Sequence, residues 1–126
     1  MTNNSDFTYF NKNPLGLKEQ DCVIRAISLA TGKDYLSVIN LLENTQANFH
    51  CEALCVCCYS YLLDEYFGFS KVPCSSMTAK EFKRKHPYGI FLIRMDGHLS
   101  CLINGKIYDI WDCSDEILTD VWKIDS

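Results

Sequence analysis

Three observations in this 126-residue chain predict an α+β fold. From Gln20 to Lys85 the apolar residues recur at helical spacing, whereas from Gly89 onward they run or alternate as they do in strands. Asn104-Gly105, flanked by His98 to Ile103 and Lys106 to Trp111, is the strongest short-range signal for a type I′ hairpin. Helices that come first and an antiparallel sheet that follows make an α+β order rather than an alternating one.

Residues 1–13 form a polar, Asn-rich arm in which Phe7, Tyr9 and Phe10 are the anchors, and Asn13-Pro14-Leu15-Gly16 reads as a turn. The first helix is expected over 20–32, with Asp21 as N-cap or first-turn acid and Gly32 as C-cap. Val23, Ile24, Ala26, Ile27, Leu29 and Ala30 make it apolar around most of its circumference, so it belongs inside a core. Asp21 and Arg25 form an i,i+4 pair worth about 0.2–0.5 kcal/mol. A second helix starts at Asp34 as N-cap and runs toward Glu43. A third runs from Cys51 to about Phe67, with Cys51, Cys55, Cys58 and Leu62 on one stripe, and ends at Gly68. Thr78 and Glu81 make a capping box for a helix over 79–85, which Pro87 closes. Gly89 to Arg94 is a buried strand, the hairpin follows, and Asp120 to Ile124 is a last strand.

The composition is 48% hydrophobic and 22% charged with a net charge of −4, which fits one folded domain over 1–126 and excludes a broad electrostatic footprint for nucleic acid. Lys80, Lys83, Arg84 and Lys85 read as one solvated helix face. No run approaches the roughly 18 apolar residues of a membrane span, and the first residues do not resemble a signal peptide. A reducing cytoplasm is therefore the expected compartment, and the eight cysteines are expected to be thiols rather than disulfides. The glycines make no phosphate-binding pattern, and there is no serine nucleophile elbow.

Cys22 is the candidate for chemistry. A cysteine in the first turn of a helix faces unpaired N–H groups and the positive dipole end, which favour the nucleophilic thiolate. The hairpin supplies its partners. With a two-residue turn, Ile103 pairs with Lys106, and stepping outward places His98, Ser100 and Leu102 on one face with Ile107, Asp109 and Trp111. Asp109 sits on the diagonal from His98, about 7–8 Å away between backbones and within side-chain reach. That geometry selects Asp109, rather than Asp112, as the acid that orients the imidazole so that its other nitrogen can take the thiol proton. Trp111 would shield the pair from water, and Cys101 falls on the opposite face.

A helical Cys, a His on a later strand and an acid on the next strand with Trp two residues on, in that chain order, resemble the papain-like cysteine peptidases. Asp21-Cys22 and the His…Asp hairpin are similar to the C39-like branch. Asn13-Pro14, Asp21 to Ile27, Gly97-His98-Leu99 and Gly105 to Asp112 look like a family of small phage and bacterial proteins described as cysteine peptidases. The resemblance covers roughly residues 9 to 124. It implies a papain-like fold, Cys22 as nucleophile, His98 as general base and then acid, and Asp109 as the orienting residue, with no cofactor or metal. Trp111 and Asp21 would line the site. Papain-like enzymes carry an oxyanion-hole Gln several residues before the Cys, whereas Gln20 here lies only two before it. Asn13 or Asn11 from the arm is the alternative donor, in either case with the backbone N–H of Cys22.

The implied function is thiol-dependent hydrolysis of a peptide or isopeptide bond in a protein or peptide substrate, in the host cytoplasm if the chain is phage-encoded. Deamidation or acyl transfer uses the same residues, and a phage or mobile-element protein that binds a host factor without catalysis is the alternative of another class. His50, Cys51, Cys55, Cys57 and Cys58 offer soft zinc ligands, with Cys74 as a further candidate. Their helical spacing fits a packed apolar face better than the paired turns of structural zinc sites.

Overall fold

The computed structural model describes residues 7–9, 22–49, 56–109 and 113–124. Four helices, α1 (Cys22–Thr31), α2 (Tyr35–Phe49), α3 (Val56–Tyr61) and α4 (Ala79–Lys85), accompany a six-stranded sheet. The strands are β1 (Phe7–Tyr9), β2 (Ser70–Lys71), β3 (Ile90–Met95), β4 (His98–Ile103), β5 (Lys106–Asp109) and β6 (Leu118–Ile124), in the spatial order β1-β5-β4-β3-β6-β2.

The α+β class is thus observed, and β2 to β6 are antiparallel. Two short strands depart from the expected order of helices before sheet. β1, from the segment expected to be an arm, pairs parallel with β5 and puts Tyr9 beside Asp109. β2 adds to β6 at the other edge. Three- and two-residue strands are too short to show a period, and only their partners make them strands.

The hairpin has the register that its turn dictates, with Ile103 opposite Lys106, Leu102 opposite Ile107 and Cys101 opposite Tyr108. Asn104 (φ 47°) and Gly105 (φ 78°) both lie in the left-handed region, as a type I′ turn requires. The turn is also pinned from outside, because the Asn104 N–H donates to the Gly89 carbonyl and Asn104 Oδ1 accepts from the Gly89 N–H at 2.9 Å.

Apolar residues cover both faces of the sheet. On one face Leu92, Leu99, Cys101 and Trp122 pack with Val23, Ile27, Val38, Leu42, Cys58 and Leu62 from the helices α1 to α3 and the turn after them. On the other, Phe91, Ile93, Met95, Leu102 and Ile107 pack with Ala79 and Phe82 of α4 and with Cys74, Cys113 and Leu118. Only the first of these layers follows from the helix-then-sheet reading. Burying both faces explains why β3 reads as a continuous apolar run.

α1 is buried nearly all round, including Arg25 and Ser28, and ends as Gly32 (φ 77°) donates its N–H to the Ser28 carbonyl. Asp34 caps α2, its Oδ1 accepting from the Ser37 N–H at 2.7 Å. This helix runs past Glu43 to Phe49 although Asn44 and Thr45 are indifferent helix formers; Thr45 is buried there, its hydroxyl donating to the Leu41 carbonyl. The third helix does not continue evenly to Phe67. It passes into a π-helical turn over Leu62–Tyr66 that buries Leu62 and Leu63, with the Phe67 N–H on the Leu62 carbonyl. α4 carries the reciprocal capping box, Glu81 N–H to Thr78 Oγ1 at 3.1 Å and Thr78 N–H to Glu81 Oε1 at 3.0 Å. Lys83, expected on the solvated face, is buried, and the half-buried His86 stacks on Phe82.

Candidate active site

The site lies where the start of α1 meets the start of β4. His98, Ser100 and Asp109 share a sheet face with Leu102 and Ile107, as side-chain alternation requires, while Leu99 and Cys101 point to the opposite layer. His98 and Asp109 meet on the diagonal, with Nε2 2.6 Å from Oδ2. Ser100 stands where the ladder would continue opposite Asp109 and donates its hydroxyl to the same Oδ2 at 2.5 Å. Oδ1 faces the buried guanidinium of Arg25, with Nη2 at 3.8 Å. Asp109, only 5% exposed, is therefore held from three sides.

Cys22, the first residue of α1, is half-buried with its thiol hydrogen-bonded to the His98 ring and to the backbone N–H of Leu99. Burial works against thiolate, but those two hydrogen bonds and the positive charges of His98 and Arg25 outweigh it and hold the thiol below its ordinary 9.0. His98 is displaced the other way. Burial disfavours the imidazolium, yet hydrogen bonds to Asp109, Cys113 and Cys22, with the Asp109 charge, push its pKa up from 6.5 to about 11. Thiolate and imidazolium stabilise each other here. With Nε2 engaged by Asp109, Nδ1 is the nitrogen left for Cys22. A narrow cavity of about 10 Å³ between Cys22, Arg25, Leu99, Ser100 and Asp109 has room for about one water molecule.

Cys22 stands apart from other thiols. Burial pushes Cys101 and Cys74 up rather than down. Cys58 is fully buried and donates to the Leu42 carbonyl, as a core thiol does. His50, Cys51 and Cys55, the rest of the cysteine-rich zinc candidate, lie outside the described residues, as does the side chain of Cys57. So do Gln20, Asn13 and Asn11, the candidate oxyanion donors, and Asp21, Trp111 and Asp112.

Three contributors to the site escape the sequence reading. Arg25 reads there only as a helix-surface partner of Asp21, whereas its guanidinium is buried against Asp109. The Leu99 N–H carries no sequence signal, being backbone. Cys113 follows the hairpin, where strand periodicity has stopped, yet its thiol hydrogen-bonds His98. One donor atom each from His98, Asp109 and Cys113 lies within 4.8 Å of the others.

No protein-family model, curated protein or solved structure matches the chain. No described helix is long and apolar enough to cross a membrane.

Proposed function

We propose that the chain is a thiol-dependent acyl hydrolase of papain-like type, in which Cys22, His98 and Asp109 act as nucleophile, acid–base and orienting residue. The observation that carries this reading is the single imidazole bound at once to Asp109 at 2.6 Å and to a Cys22 thiol whose pKa is lowered. In the reaction the Cys22 thiolate attacks an amide carbonyl, and a C–S bond forms as the carbonyl π electrons move onto oxygen. The His98 imidazolium gives its proton to the leaving nitrogen, the C–N bond breaks and an acyl thioester remains on Cys22. Water then attacks the thioester while His98 takes its proton. The C–S bond breaks, and the acid leaves with thiolate and imidazolium restored. Asp109 holds the tautomer throughout. The backbone N–H of Cys22 is the donor offered to the oxyanion. A peptide or isopeptide bond is the leading substrate class.

Iodoacetamide labelling at pH 6, read by peptide mass spectrometry, tests the reading. Cys22 should be alkylated faster than each of the other seven cysteines, and His98→Ala should remove the difference. Equal labelling of Cys22 and the other accessible thiols sinks it.

A further inference from the structure

We propose that Cys113, His98 and Asp109 form a binding site for a thiophilic divalent cation of the zinc class, and that its occupation withdraws His98 from Cys22. The second half rests on the function proposed above; the first does not. Thiolate, imidazole and carboxylate are the ligand types that zinc selects, and three protein ligands with one open position are the count of an open zinc site. Zn–N, Zn–O and Zn–S bonds of about 2.0–2.3 Å around a tetrahedral ion put donor atoms about 3.3–3.7 Å apart. The three donors already lie within 4.8 Å of one another, and the His98–Asp109 pair is at 2.6 Å, so side-chain adjustments of about an ångström bring them to that spacing.

Charge favours the same assignment. A dication with the Cys113 thiolate, the Asp109 carboxylate and a neutral imidazole is neutral overall, which suits a place where Cys113 and Asp109 are buried. Binding releases two protons, one from the Cys113 thiol and one from the His98 ring, and nothing is oxidised or reduced. The outer support exists as well, since Ser100 donates to Asp109 Oδ2. A ligated imidazole can no longer take and return the Cys22 proton: held through the nitrogen that faces Cys22 it has no site for that proton, and held through the other it would have to become anionic to give the proton up. Metal binding and thiolate catalysis therefore exclude each other.

Cobalt(II) titration of the purified full chain tests the site. A 1:1 complex with a thiolate-to-cobalt charge-transfer band is expected. Cys113→Ser should abolish the band and weaken binding by more than the about 10–100-fold that loss of an outer-shell partner costs, whereas Cys22→Ser should keep it. A band that survives in Cys113→Ser, disappears in Cys22→Ser, or is lost in Cys55→Ser overturns the assignment, as does the absence of a 1:1 complex. Because Cys113 is buried and its variant can misfold, X-ray absorption on the zinc-loaded wild-type chain gives an independent answer. One sulfur among nitrogen and oxygen donors is expected, and none or several overturns the site. Zinc should also slow Cys22 alkylation in the wild type and not in Cys113→Ser. A metal complex of the expected kind in a chain whose Cys22 labels no faster than Cys74 sustains the site and removes the catalytic reading instead.

Discussion

Asp109 Oδ2 lies 2.6 Å from His98 Nε2 across the β4–β5 hairpin, a diagonal contact rather than a ladder pair. The side-chain period of a strand is two, so a slip of one residue would turn Asp109 to the opposite face and leave the imidazole without its acceptor. The two-residue turn at Asn104-Gly105 forbids that slip. Asp109→Asn keeps the shape but loses the charge that supports the imidazolium. Cys22 alkylation at pH 6 should slow by about tenfold for each unit by which the thiol pKa rises, with the circular dichroism spectrum unchanged. A wild-type rate would remove Asp109 from the site.

The raised pKa of His98 makes stability depend on pH in a definite sense. A proton that the folded state binds more tightly than the unfolded state stabilises the fold. The contribution is complete below the unfolded value of 6.5 and is lost as pH rises through about 11. His98→Gln should therefore lower the urea midpoint most at pH 6 and progressively less toward pH 10.5. Cys22 acts oppositely: its lowered pKa stabilises the fold above the ordinary 9.0, and that contribution is lost as pH falls through the folded value. A His98→Gln deficit that grows with pH would contradict the first assignment.

Ser100 and Arg25 hold the carboxylate. Ser100→Ala removes a hydrogen bond to a buried charge and should destabilise the protein by about 1.5–3 kcal/mol in urea unfolding. Arg25→Met leaves Asp109 short of its cation and should cost on the order of 3 kcal/mol. It should also move the Cys22 alkylation profile to higher pH, because the Arg25 charge helps to stabilise the thiolate. An unmoved profile in a folded Arg25→Met variant would confine Arg25 to a structural part.

In the layer that α4 packs on the sheet, Thr78→Ala should break the capping box and lower stability by about 1 kcal/mol. Cys22 labelling should stay at the wild-type rate, since the groups that hold the thiol, the His98 ring and the Leu99 N–H, belong to β4 and not to α4. A changed labelling rate would mean that α4 reaches the site through the residues packed on that face.

The hairpin, its register and its choice of acid were legible from residues 98 to 109 alone, because turn chemistry and side-chain alternation are local. The caps at Asp34 and Thr78 were legible for the same reason. Lys83 was misread because helical spacing says which residues share a face and not what covers that face. Gln20, Asn13 and Trp111 lie outside the described residues.

The sequence by itself determined that a helical Cys22 precedes a hairpin with His98 and Asp109 on one face. Tertiary structure alone decided that the helix and the hairpin meet at their starting ends. It also decided that Arg25 turns inward to Asp109, that the Leu99 N–H supports the Cys22 sulfur, and that Cys113 reaches the same imidazole as Cys22. The physical reason is range. Turns, caps and alternation act over a few residues, whereas a pKa is set by whatever burial and charge the folded chain gathers from distant segments.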